Sequence, residues 1–520
     1  MPKVPSPTDC GLPTKFSHWR SNQEHSIGVM ITSPKRFIAL SAPTGFGKSP
    51  AYVAYALLSK KPTCVVTNSK GLQTQLMDDY ASCGMVDIRG RGNYPCALRD
   101  DYSCQEGYAA RCPYKGSINC PSSQAEMRAA CSPLVVTNYD KWISCSRSQG
   151  DTWLDHFEQV VLDEGHDAPD ALARAMQFVI TPDDIEKVLE LPYPMKTSEF
   201  GSWKGWACNA KIIAEDKMKD WQHRLSCEMS PKGSWVKQFL HIKRLVKRLA
   251  VIATGRHDNW VVEEVDRGFQ FDAVRLGQYA EGVLFLGKPR VIIVSATLRP
   301  KTMQMLGLSK DRYDFYEFDS DFDSKRCPIY YIPTMRVDVR AKDLSQLWVR
   351  LDQIMSRRGD RKGIIDPISF ARRDEIMAAS RHRNRMMTNQ RGESITHVLE
   401  AFRAAGPGTV LISPSVGTGY DFPMKQAEWQ FIAKVPFPDG RAKIQQARQA
   451  WDPEFGAYGA MQSLVQFFGR SMRSRDDRSE GFICDGHLEW FLPRYRHLAP
   501  KSFHSHFRMV NTVPQPPEAL

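Results

Sequence analysis

The octapeptide APTGFGKS at residues 42–49 constrains this chain more than any other segment. It follows an apolar pentapeptide, FIALS (37–41), and leads into an Ala/Tyr/Leu-rich stretch at 50–58. That order predicts a strand, a glycine-rich turn and a helix, the setting a phosphate-binding loop requires. Gly45 and Gly47 let backbone N–H groups close around phosphate oxygens, Lys48 neutralises charge on the β- and γ-phosphates, and Ser49 ligates magnesium. Thr44 completes the loop's candidate set for ATP and Mg2+. Further apolar runs, CVVT (64–67), LVVT (134–137), QVVLD (159–163) and RVIIVS (290–295), read as buried parallel strands alternating with helices. One α/β domain therefore gathers its strands across an interrupted stretch of sequence.

Two insertions make the interruptions. Residues 87–131 are cysteine-rich, and residues 181–284 are rich in Trp, Lys and Arg and mostly helical in pattern. A second α/β series begins near Ile329, with KGIID (362–366), GTVLIS (408–413) and QFIAKV (430–435) as its strands. The expected organisation is a first α/β domain in three parts (1–86, 132–180 and 285–328), the two insertions, a second α/β domain at 329–512 and a flexible proline-rich tail at 513–520. At 520 residues the chain has room for about three cores. No apolar run approaches the ~18 residues needed to span a bilayer, and the N-terminal residues lack an apolar secretory core, so a soluble, cytoplasmic protein is expected. Lysine and arginine outnumber the acids 70 to 58, a net charge of +12 that favours polyanionic partners, nucleic acid first.

QVVLDEGH (159–166) ends a strand in two adjacent carboxylates, which suits Asp163 to magnesium and Glu164 to the attacking water. Joined to the phosphate loop, the pair points to ATP hydrolysis. QFFGRSMR (466–473) sets Arg470 and Arg473 three residues apart on one helix face. They read as arginine fingers if the second domain shares the site, and as a basic helix face if it does not.

The 13 cysteines of a chain in a reducing compartment are not read as disulfides. Cys96, Cys104, Cys112 and Cys120 stand at equal intervals, seven residues between neighbours, in a loop-rich segment that needs something to organise it. Four thiolates suit both zinc and a four-iron–four-sulfur cluster; the wide spacing, without CxxC pairs, tilts towards the cluster. Cys131 abuts a strand and is left out. Candidate nucleic-acid contacts are Thr67, Asn68 and Gln73 after the second strand, Arg89, Arg91 and Tyr94 ahead of the cysteines, and Lys243 and Lys247 opposite the apolar face of HIKRLVKRLA (241–250). A capped polar loop and a solvated basic helix face are the plain alternatives.

Together these segments resemble a superfamily-two helicase. APTGFGKS is similar to motif I, DEGH (163–166) to motif II, SATL (295–298) to motif III and QFFGRSMR to motif VI, in that order. The likeness is nearest the XPD/DinG branch, through FSHWRSNQ (16–23), VGTGYDFP (416–423) and KVPFP (434–438), and it spans nearly the whole chain. The resemblance implies two RecA-like P-loop domains, the first carrying an iron–sulfur insertion and a small, mostly helical arch. It implies an ATP-dependent, monomeric helicase moving 5′ to 3′ on single-stranded DNA and acting at single-strand/duplex junctions, with a 4Fe–4S cluster on Cys96, Cys104, Cys112 and Cys120. It sets Arg20 and Gln23 near adenine, Gln466 near the γ-phosphate, and Gly419 and Asp421 in the segment coupling ATP to DNA. Gly165 stands where the branch usually has alanine, a change expected to be mild. The same motifs also suit an ATP-driven translocase that barely unwinds duplex, or an ATP-switched, redox-sensitive DNA-binding module.

Overall fold

The apolar runs become strands that are buried along their whole length. All five residues of Phe37–Ser41, Thr63–Thr67, Leu134–Asn138 and Gln159–Asp163 are buried, which only a sheet covered on both faces provides. The computed structural model describes the chain apart from residues 1–2, 147–151, 229–230, 321–322, 339–342, 418–421, 423, 473–476 and 518–520. The first parallel sheet has the strand order Tyr313–Glu317, Phe37–Ser41, Arg290–Ser295, Gln159–Asp163, Thr63–Thr67, Leu134–Asn138, Val86–Asp87. The strand that carries the phosphate loop and the strand that carries the carboxylates thus flank Arg290–Ser295. All three present their carboxyl ends to one edge, where α/β sheets place their ligand sites.

The second parallel sheet runs Met386–Met387, Val410–Ile412, Gly363–Asp366, Trp429–Ile432, Glu480–Asp485, Ile329–Met335, Phe507–Met509. Its central strands are those legible in the sequence. Glu480–Asp485 and the short edge strands were not.

The stretch at 181–284 contributes two long helices, Phe200–Cys227 and Gly233–Thr254, and a hairpin, Trp260–Val265 with Gly268–Ala273. The helices meet along Trp203, Ala207, Ala210 and Ala214 on one side and Leu245, Leu249 and Ile252 on the other, an i, i+3/i+4 stripe on each. The hairpin pairs antiparallel with Phe178–Ile180, so that short strand joins the insertion's own three-stranded sheet. At the far end, Leu225 and Val236 pack with Cys96, Tyr102, Ala110 and Cys112, and Tyr102 Oη donates to Pro231 O at 3.1 Å. The helical insertion therefore closes onto the cysteine-rich one.

The tail also differs from expectation. Val513 is buried, and Arg357, Arg358 and Arg361 donate to the carbonyls of Val513, Pro514 and Pro517. Among the described residues, no helix is long and apolar enough to cross a membrane.

The two parallel-sheet domains are joined by a buried charge. Lys301, at the start of helix Pro300–Met305, lies 2.7 Å from Asp452 Oδ1 and 3.2 Å from Glu454 Oε2, and beside it Thr302 Oγ1 meets Tyr458 Oη at 2.5 Å. Lys301→Ala leaves the buried Asp452 carboxylate without its cation, while the half-buried Glu454 keeps His497. Removing one partner of a buried pair costs about 3–5 kcal/mol, so the variant is expected to melt at a clearly lower temperature, with the loss recovered in part by Lys301→Ala/Asp452→Asn; calorimetry of the three chains checks this.

Candidate active site

Helix Lys48–Ser59 begins directly after the glycine-rich loop, in which Gly45 and Gly47 adopt φ of 81° and 77°. The helix's first N–H groups, which have no partner within the helix, open onto the cleft and suit an anion. Behind the loop, Arg20 Nη1 donates to Gly45 O at 2.6 Å, and Gln23 Nε2 donates to Phe46 O and Gly47 O at 2.9 and 2.8 Å. On the same helix as Ser49, Tyr52 donates its hydroxyl to Asp163 Oδ2 at 3.3 Å.

Facing the loop are the two carboxylates. Burial and the neighbouring Glu164 push the Asp163 carboxyl up to about 6, and Asp163 Oδ1 is buried with no hydrogen-bond partner. Burial would raise Glu164 as well, but Lys48 and His166 outweigh it and hold Glu164 ionised, well below the usual carboxylate range. The difference lies in the partners: Lys48 Nζ is 2.8 Å from Glu164 Oε1. Glu164 sits in the left-handed region (φ 46°), a strained conformation for a residue with a Cβ, of order 1–3 kcal/mol.

From Glu164 a polar chain runs along the carboxyl edge of the sheet. Ser295 Oγ donates to Glu164 Oε2 at 3.3 Å, and His166 Nδ1 donates to Ser295 Oγ at 2.6 Å. His166 Nε2 lies 3.1 Å from Asp167 Oδ1, and Asp167 Oδ2 accepts from Asn68 Nδ2 at 2.7 Å. Burial opposes a charge on His166, but Asp167 and Glu164 raise it to about 10, so the ring is an imidazolium donating at both nitrogens. The roles of Ser295 and His166 were not drawn from the sequence, although both lie inside segments singled out there.

Lys48, Glu164, His166 and Asp167 line one side of a cavity of about 590 Å3, and Gln466 and Arg470 line the other. Thr44 and Asn68 also reach this cavity. The structure thus brings together the loop, the carboxylates and the first arginine of QFFGRSMR. Arg473, Gly419 and Asp421 lie outside the described residues.

The four cysteines come together too. Cys104 Sγ and Cys120 Sγ are 3.5 Å apart, and all four are buried around a cavity of about 170 Å3 that Arg91 and Lys115 also line. Leu98 N donates to Cys96 Sγ at 3.4 Å. Gly107 leaves the space that Cys96 occupies: a Cβ there would lie 2.3 Å from its sulfur. Cys104 begins one helix and Cys120 caps another; burial and the neighbouring Cys120 push the Cys104 thiol up to about 11, while at Cys120 burial is outweighed by hydrogen bonds from Ser123, which lower it. Among the described residues, no three His, Cys, Asp or Glu side chains converge tightly enough to hold a single metal ion. The thiols ring a space instead of meeting at a point.

The candidate nucleic-acid contacts scatter. Thr67 and Gln73 are wholly buried; Gln73 Nε2 donates to Ile88 O at 3.1 Å and Gln73 Oε1 accepts from Asn138 Nδ2 at 3.2 Å. Neither side chain reaches the surface. Arg89 pairs with Asp87 and Arg91 with Glu126, and Tyr94 Oη accepts from Arg89 N. Lys243 and Lys247 are exposed along the helix Gly233–Thr254, as the pattern predicted.

Two parallel-sheet domains face one cleft, with a phosphate loop on one side and, on the other, Arg470, which lies just past the end of helix Phe455–Phe468 and not on the helix face the sequence suggested; this is a two-domain RecA-like fold. Residues 369–506 match the family described as helicase C-terminal domain. Among solved structures, an XPD helicase superposes with a TM-score of 0.66 at 14% identity, over 94% of this chain and 99% of that one. Xpd4 of S. tokodaii superposes with a TM-score of 0.59 at 13% identity, over 94% and 100%, and an apo XPD with 0.59 at 14%, over the same shares. No curated protein matches the sequence significantly. The fold is therefore that of the XPD structures.

Gly165, expected to be a mild replacement for alanine, is required by the packing: a Cβ would fall 2.4 Å from Ile293 Cγ2 in the adjacent strand. Gly165→Ala is expected to cost about 1–3 kcal/mol through overpacking, and distinctly less when Ile293→Ala has opened the space. A double-mutant cycle in urea measures the difference.

Proposed function

We propose that the protein is an ATP-dependent DNA helicase that translocates 5′ to 3′ on single-stranded DNA and opens single-strand/duplex junctions. The observation that carries the reading is the unbroken polar chain from Lys48 through Glu164, Ser295, His166 and Asp167 to Asn68, facing Gln466 and Arg470 across one cavity. It ties a group that would feel the γ-phosphate to a segment at the sheet edge.

A triphosphate competes with Glu164 for the Lys48 ammonium, so its arrival frees the carboxylate. Glu164, kept ionised by the His166 imidazolium, then accepts the proton of the attacking water. Asp163 Oδ1 and Ser49 would hold magnesium, which supplies charge neutralisation on the β- and γ-phosphates; the orphaned, buried Oδ1 fits such a cation. Arg470, buried at the cleft wall, offsets charge developing on the transferred group. Arg473, Gly419 and Asp421 complete the set by resemblance. Closing and opening of the cleft would alternate the two domains' grip on the strand.

Cys96, Cys104, Cys112 and Cys120 would hold a 4Fe–4S cluster, whose contribution is to cross-link a segment too small to bury a core of its own. The four-thiol donor set around a cavity of about 170 Å3, lined also by Lys115 and by Arg91 paired with Glu126, fits that group. Anaerobically purified protein is expected to contain iron and acid-labile sulfide in equal amounts, and Cys104→Ser to lose most of both; zinc in their place defeats the assignment.

The direct test is strand displacement on duplexes with a 5′ or a 3′ single-stranded tail. Displacement from the 5′ tail only, abolished with ATP turnover in Lys48→Ala, is the expected result. Displacement from the 3′ tail only overturns the polarity. DNA-stimulated hydrolysis without displacement favours a remodelling translocase.

A further inference from the structure

Gln23 belongs to the segment that resemblance sets beside the base, yet it is only 3% exposed. A side-chain amide that reads a base edge must present a free donor, a free acceptor, or both, and it has two N–H groups and one oxygen to offer. Both N–H groups of Gln23 are engaged by the phosphate loop's own backbone, at Phe46 O and Gly47 O. Its Oε1 accepts from Arg20 N at 2.7 Å. No donor is left for a base, and the remaining lone pair is sealed from solvent. Arg20 in turn holds Gly45 O through Nη1, and its side chain is otherwise exposed. What an exposed guanidinium offers a base is a flat cation to stack on, and every base has a π-face. Neither residue lines the 590 Å3 cleft that carries Lys48 and Glu164.

The three bonded carbonyls belong to the consecutive residues Gly45, Phe46 and Gly47. Holding those carbonyls away from the cleft turns the intervening N–H groups towards it, which is where a phosphate needs them. We propose that Gln23 and Arg20 are positioning residues of the phosphate loop, not readers of adenine, and that the site accepts nucleoside triphosphates with little regard to the base. The inference rests on the nucleotide-hydrolysing reading above and deepens it.

The experiment uses the full chain with Mg2+: competition of ATP, GTP and CTP against a fluorescent nucleotide for binding, and hydrolysis of the same three with single-stranded DNA. Affinities and kcat/KM for ATP and GTP are expected to agree within about tenfold, whereas a site that hydrogen-bonds the correct group rejects its analogue by roughly 10⁴–10⁵. Gln23→Ala is expected to lower turnover of ATP and GTP by one common factor and leave their ratio unchanged. Gln23→Glu, which still accepts from Arg20 but cannot donate to the loop, is expected to behave likewise. A preference for ATP of roughly a thousandfold or more, or a preference that shrinks in Gln23→Ala, overturns the proposal and leaves the helicase reading intact. Equal binding without hydrolysis of any of the three upholds base indifference and defeats the hydrolysis reading; absence of binding defeats both. If Gln23→Ala does not fold, the selectivity of the unaltered chain decides alone.

Discussion

Two carboxylates side by side at the buried end of a strand are the constraint from which the rest of the cleft follows. Like charges in a low-dielectric wall cannot both ionise without help. Lys48 and His166 supply that help to Glu164, while at Asp163 burial and the neighbouring Glu164 outweigh Lys48, the Glu164 backbone and the Tyr52 hydroxyl and push the carboxyl up. The inequality distributes the roles, leaving an ionised group that can take a proton and a second that gains by meeting a cation. Geometry pays for the arrangement locally, in the left-handed backbone of Glu164 and the missing Cβ of Gly165 against Ile293.

The cleft has a second wall only because the two sheets are held together, and the contacts that hold them sit just after SATL. Ser295 reaches Glu164, and six residues later Lys301 is buried against Asp452 and Glu454 of the other domain. The hairpin of the helical insertion adds a further tie, since Arg448 donates to Ala273 O at 2.8 Å. The segment that bonds Glu164 is thus anchored, six residues on, in the other domain.

What the sequence allowed to be placed was the geometry of the phosphate loop and the DEGH turn, where residue types stand at consecutive positions, and the grouping of the four evenly spaced cysteines around one cavity. The site was illegible where a polar residue's meaning depends on a distant partner. Thr67 and Gln73 read as surface polar groups from their neighbours in sequence, yet Gln73 is pinned to Ile88, fifteen residues on, and to Asn138, sixty-five residues on. Gln23 is the same case, its amide satisfied by backbone more than twenty residues away. In the fold, buried parallel strands were plain as apolar runs, but WVVEEV (260–265) hides a hairpin strand among charges because only alternate residues are buried. The tail looked free because its prolines cannot join a sheet by their own N–H groups; its carbonyls are nonetheless taken by arginines of the second domain.

The two insertions are best understood as one structural unit. Neither the cysteine-rich loops nor the end of a two-helix arm can bury a core alone. Where they meet, Leu225 and Val236 from the arm and Cys96, Tyr102, Ala110 and Cys112 from the loops form a single apolar cluster. Two of the four convergent thiols thus carry packing for the arm as well as for their own segment. Whatever fixes the positions of those sulfurs also fixes the tip of the helices Phe200–Cys227 and Gly233–Thr254, and whatever disperses them releases it.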